Sequence, residues 1–126
     1  MITEDYVSFE VAKLLKEKGF DEKCDYCYAF FDEDDIRVLE LKPSISGLSL
    51  MENRYPYVTQ SVAMKWLREI HHLSIEPYYT NKQKYKFAIQ EIPTAISLWM
   101  NLPDKLYSTY EKACEEAIKH CLENLI

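Results

Sequence analysis

Residues 55–79 read YPYVTQSVAMKWLREIHHLSIEPYY, and the apolar period changes partway through them. In TQSVAMKWLREIHH, Val62, Ala63, Trp66, Leu67 and Ile70 fall at i, i+1, i+4, i+5 and i+8, the stripe of an amphipathic helix. Thr59, shortly after Pro56, stands where a helix cap belongs. From Leu73 the pattern becomes LSIEPYY, a short apolar and aromatic run that reads as a strand. Pro77 places that strand toward a sheet edge, because proline cannot donate to a ladder.

The segment QKYKFAIQEI after Thr80-Asn81-Lys82 alternates. Tyr85, Phe87 and Ile89 fall on one face, and Lys84, Lys86 and Gln90 on the other, so this pair of runs predicts a hairpin. A second hairpin is predicted upstream, where CYAFF and IRVLEL flank the turn-prone acids at 32–35. A first helix is expected in SFEVAKLLKEKGF. Ser8 caps it, Val11, Leu14 and Leu15 form its stripe, Gly19 takes the left-handed closing position and Phe20 folds back. A last helix follows a predicted capping box, Ser108 to Glu111, with a stripe of Ala113, Cys114, Ala117, Ile118, Cys121, Leu122 and Leu125. Segments 43–58 and 93–107 contain prolines without a clean period and read as loops.

The element order is then αββ-αββ-α. Adjacent hairpins favour antiparallel pairing, and helix stripes need a sheet to cover. The expected fold is α+β, three helices packed on an antiparallel β-sheet, as a single domain over 1–126. An offset of 51 residues lays Ser8 on Thr59, Val11-Ala12 on Val62-Ala63 and Tyr28 on Tyr79, which suggests a degenerate internal repeat.

Length and composition support a globular chain. With 126 residues, 48% hydrophobic and 29% charged, it is long enough to bury one core. The opening MITEDYV is not a signal peptide, and no stretch is long enough to cross a membrane as a helix. An intracellular, cytoplasmic protein with free thiols is therefore expected. Net charge is −6, yet residues 59–90 carry 5 bases against 2 acids. Long-range attraction to nucleic acid is disfavoured for the whole molecule, while local contact through the middle segment stays open.

Chemistry-bearing residues are scattered. Cys24 and Cys27 form a CxxC, but in extended backbone residues three apart point to opposite faces, and no second ligand pair follows at zinc spacing. Cys114 and Cys121 are two helical turns apart, too far for a mutual disulfide. His71 and His72 diverge by about 100° on a helix and read as its C-terminal cap. His120, between Glu116 and Glu123, reads as a solvated helix edge. The acids at 32–35 lack the spacing and glycine of a calcium loop. Two glycines, Gly19 and Gly47, cannot write a phosphate-cradling loop. No catalytic, cofactor or metal residues are assigned, and an enzyme is disfavoured.

Three stretches, SFEVAKLLKEKGFDEKC, YPYVTQSVAMKWLREIHHLSIEPYY and YEKACEEAIKHCLENLI, together resemble a group of small proteins from phages and mobile elements of Bacteroides-type gut bacteria. In that group a proline-threonine-glutamine lead-in precedes a tryptophan-containing helix, then a strand with glutamate-proline and aromatics, then a closing helix. The resemblance covers about two thirds of the chain. It implies an accessory protein of phage type and brings no catalytic residues with it.

The function expected from all this is surface contact without catalysis. The partner would be an unidentified protein, a second copy of the chain among the candidates, with Trp99, Leu102, Tyr78 and Tyr79 as contact residues. The alternative is nucleic-acid contact through Lys82, Lys84 and Lys86, which interleave with aromatics. Strict alternation argues against that alternative, since it would put the aromatics and the lysines on opposite faces. A metal-dependent enzyme using Cys24, Cys27, His71 or His72 ranks last.

Overall fold

Ser8 starts the first helix as read from sequence: its Oγ accepts a hydrogen bond from the Val11 amide at 3.2 Å. Helix α1 (Phe9–Glu17) closes where Gly19 turns left-handed at φ +90°, and the Phe20 amide bonds back to the Leu15 carbonyl at 2.9 Å. Phe20 is buried beside the fully buried Leu15. The computed structural model describes residues 4–92, 94 and 105–126, and the backbone alone of 96–100. The chain divides into two compact units, Met1–Thr59 and Gln60–Ile126.

The first unit continues from α1 into β1 (Cys24–Asp32), β2 (Asp35–Ile45), a 3-10 turn over Leu48–Leu50 and β3 (Arg54–Pro56). The sheet is antiparallel with order β2-β1-β3. Asp32 closes the β1–β2 turn by accepting the Asp34 amide at 2.8 Å, the local reason an acidic tetrapeptide reverses here. Tyr26 pairs with Glu40, Tyr28 with Val38 and Phe30 with Ile36, so these six side chains share one face. Phe9 of α1 meets Tyr28, Phe30 and Tyr55 there, and Tyr57 meets Tyr6, Tyr26 and Tyr28. Lys16 fastens α1 to the β3 approach: its ammonium bonds the carbonyls of Met51 and Arg54 and lies over the Tyr55 ring.

The second unit runs α2 (Gln60–His71), β4 (Leu73–Tyr79), β5 (Tyr85–Glu91), β6 (Ile96–Met100) and α3 (Tyr110–His120), whose end widens to a π-helical turn over Cys121–Leu125. Its antiparallel sheet has order β4-β5-β6, and β4 with Pro77 is an edge strand. α2 packs on β4 and α3, and α3 packs on β4 and β5. The core holds Trp66, Leu67, Phe87, Ile89, Ala113, Cys114, Ala117, Ile118, Cys121 and Leu122. Among the described residues, no helix is long and apolar enough to cross a membrane.

Several sequence expectations need correction. The fold is α+β with three helices among the described residues, but the strands form two sheets rather than one. The segments read as loops contain β3 and β6, and β2 reaches Ile45. On α2 the buried positions are Gln60, Ala63, Trp66 and Leu67, whereas Val62 and Ile70 are exposed. The stripe is rotated because the Gln60 amide nitrogen is drawn inward, donating to the Glu111 carbonyl at 3.0 Å, an attraction that hydrophobic period does not register. The last helix is capped by Thr109, which accepts from the Lys112 amide at 3.1 Å, and not by Ser108. The 51-residue offset aligns the starts of two helices but not two topologies, since β1 is central in its sheet and β4 is at the edge.

Candidate functional site

The β4–β5 turn is a five-residue closure with a hydrogen-bonded frame. The Thr80 amide donates to the Lys84 carbonyl at 2.8 Å, Thr80 Oγ1 donates to that carbonyl at 2.9 Å, and the Lys82 amide donates to Thr80 Oγ1 at 3.3 Å. Gln83 takes the left-handed conformation, φ 59°, just before the strand resumes. The turn is longer than the Thr80-Asn81-Lys82 read from sequence, so Lys84 belongs to it and not to the strand.

Register then decides what shares a face. Tyr78 pairs with Lys86 and Tyr79 with Tyr85. Directly opposed residues in an antiparallel pair project from the same side, so Tyr78 and Lys86 stand together while Tyr79 and Tyr85 stand on the other side. Tyr78, Thr80, Asn81, Lys82, Lys86 and Leu106 line an open cavity of about 280 Å³. The expectation that aromatics and lysines would be divided between faces therefore holds for Tyr85 and Phe87 and is corrected for Tyr78. Tyr85 and Phe87 turn toward the α3 side, with Tyr85 against Tyr110 and Phe87 against Tyr107. Sequence reasoning failed at Tyr78 because alternation was counted along one strand, while the cavity is assembled across two.

Lys82 and Lys84 are exposed and Lys86 half-buried. Among the described residues no carboxylate forms an ion pair with any of the three. Tyr79 is exposed, its ring edge-on to Tyr85 at 5.1 Å. The backbone of Trp99 pairs with Ile89, but its side chain, like all of Leu102, lies outside the described residues.

The remaining candidates are structural. All four cysteines are buried, and none is in a disulfide. Cys24 and Cys27 are both interior, because the β1–β2 ladder is interrupted between Cys24 and Tyr26 and simple alternation does not carry across the break. Burial, reinforced by Cys27 and neighbouring acids, pushes the Cys24 thiol up to about 11. Burial alone pushes Cys121 up to about 12. Thiolate is the reactive form, so native protein at pH 8 is expected to leave 5,5′-dithiobis(2-nitrobenzoate) unreacted until guanidinium releases four thiols. Fast labelling of any cysteine in the native state would place a reactive thiol here.

His71 and His72 diverge as read. His72 is exposed and left-handed, φ 59°, its carbonyl accepting the Ile92 amide at 2.9 Å. His71 lies edge-on against Trp66 at 4.7 Å, and its Nε2 is buried with no hydrogen-bond partner among the described residues. Burial, and secondarily the neighbouring His72, holds its pKa below the ordinary 6.5. Burial also lowers His120, which is half-buried with Asn124 Nδ2 at 3.3 Å from its Nδ1 rather than fully solvated. The unfolded chain binds these protons more readily than the folded chain. Stability is thus full above the unfolded value of about 6.5 and falls as pH drops through it toward the folded values. The guanidinium midpoint is expected to be lower at pH 5.5 than at 7.5, with the difference reduced in His71→Leu. Equal midpoints would refute the burial of this imidazole.

Among the described residues no group of three or more His, Cys, Asp or Glu is placed to hold a metal ion. Comparison of the chain with protein-family models, with curated proteins and with solved structures returns no match.

Proposed function

We propose that this chain is a phage-type accessory protein of the cytoplasm that acts by surface contact with a protein partner, without catalysis. The observation that carries the reading is the first unit's sheet. On the face shared by β1 and β2, Val38 is 45% and Ile36 39% exposed, beside half-open Tyr26 and Tyr6. Aromatic and aliphatic side chains gathered on a sheet face that Phe9 and Tyr57 cover only in part are the composition of a contact surface, with aromatics as its anchors. Deep burial of the thiols and the separation of His71 from His72 remove the groups most suited to chemistry. To the expected contact residues Trp99, Leu102, Tyr78 and Tyr79 the proposal adds Tyr26, Ile36 and Val38.

The test is a paired substitution, Ile36→Glu with Val38→Glu, at positions where added charge meets solvent and leaves the core intact. Affinity capture from native lysate, read against light-scattering mass, is expected to show the partner's affinity reduced about tenfold or more. If the partner is a second copy, the mass falls to that of one chain. An unchanged mass together with unchanged capture would refute the assignment of this face.

A further inference from the structure

We infer that the tip of the β4–β5 hairpin is a binding site for one nucleotide unit of a single-stranded nucleic acid, with the base against the Tyr78 ring and the phosphate between the ammonium groups of Lys82 and Lys86. This site is on the second unit and is independent of the protein-contact face on the first, so either assignment can fail alone.

Four observations converge on it. The first is placement: Tyr78 and Lys86 are cross-strand partners, and Lys82 reaches the same cavity from a turn held by Thr80. The backbone that carries its cationic and aromatic groups is thus set before any ligand arrives, which lowers the ordering cost of binding. The second is charge: among the described residues, two lysines line the cavity and no carboxylate does. Glu76, on the same face one step down β4 and opposite Ala88, marks its limit. The third is the ring itself. Tyr78 is 39% exposed, and it has no aromatic or cationic ring contact among the described residues, unlike Tyr79, Tyr85 and Phe87. The fourth is size. A volume of about 280 Å³ lies just below the range of roughly 300–1,000 Å³ that encloses a drug-sized ligand. It suits one repeat of an extended polymer better than a self-contained cofactor.

The pairing of a ring with two cations favours a nucleotide over an acidic peptide. A nucleotide carries a π-face and an anion in the same repeat, and base stacking on an aromatic side chain is tolerant of sequence. An acidic peptide would satisfy the lysines and leave the ring unused. Duplex bases are already stacked on one another, so single strands are the matching form. Residues 1–59 carry 13 acids against 7 bases, whereas residues 60–126 carry 8 of each. Attraction is therefore short-ranged and local, and binding is expected to show at low salt.

The experiment is fluorescence anisotropy of a labelled twelve-residue oligothymidylate with the full chain at 50 mM salt. Wild type is expected to bind, and Tyr78→Leu to weaken binding about fivefold or more, the lower end of the measured worth of a stacked base. Tyr78→Phe should keep most of the affinity. Lys82→Gln and Lys86→Gln should each flatten the logarithmic salt dependence by about 0.7, while Lys84→Gln, outside the cavity, has a smaller effect. Thermal melts of each variant confirm folding. Absence of binding, indifference to Tyr78→Leu, or equal effects at all three lysines would overturn the site. So would competition by polyglutamate as strong as that by unlabelled oligomer, or an oligomer that binds no more tightly than thymidine monophosphate.

Discussion

Trp66→Ala is expected to cost about 3–5 kcal/mol of folding stability, the range for removing a large aromatic from a packed interior. Trp66 is 6% exposed, on the buried side of α2, with the His71 imidazole set edge-on against it. Truncation to alanine removes the indole from a space its neighbours cannot readily refill, because α2 is packed on both β4 and α3. Against a typical total stability of about 5–15 kcal/mol, the variant should be marginal at 37 °C. Equilibrium denaturation in guanidinium measures the loss as a lowered midpoint. The indole also shields His71, so the part of the acid sensitivity due to that imidazole should shrink in the same variant. A change within 0.5 kcal/mol, the ordinary range for surface substitutions, would show that the indole is not buried.

The second large effect is at Gln60. Its side chain is 8% exposed, and its amide nitrogen donates to the Glu111 carbonyl at 3.0 Å and toward Glu115 Oε2 at 3.4 Å. Two acceptors therefore converge on one amide nitrogen, which has an N–H for each. Gln60→Glu keeps the shape and replaces the donor with a third acceptor, charged at neutral pH. We expect a loss of about 2–4 kcal/mol at pH 7, limited because the new carboxyl can instead take up a proton. Its folded pKa is then raised above the unfolded value, so the penalty is present above about pH 4.3 and disappears below it. Comparing variant and wild type at pH 7 and at pH 4 measures this directly. A pH-independent difference would mean that the amide does not face those acceptors.

How far the sequence could be read depended on whether the deciding interaction was local. Ser8 and Gly19 were legible because a cap and a left-handed closure are settled within one turn of helix. The stripe of α3 was legible because seven of its positions repeat one period, and six of them are buried. The α2 stripe was misjudged by about one position because Gln60 answers to α3, fifty residues away in sequence. β3 and β6 were missed for a related reason: a three-residue strand and an apolar run among prolines acquire their meaning only from the strand each one pairs with. The hairpin site was half legible. The lysines were visible as a cluster, but the partnership of Tyr78 with Lys86 depends on cross-strand register, and register depends on the length of the turn.

Among the described residues, three reversals rest on side-chain-bearing residues in left-handed geometry, Asn53, His72 and Gln83, in a chain with two glycines. Each such position costs about 1–2 kcal/mol relative to a relaxed backbone. The same scarcity of glycine narrows the ensemble from which folding begins, since every side chain restricts the denatured backbone. The chain therefore trades strain in its corners for a smaller loss of disorder along its whole length.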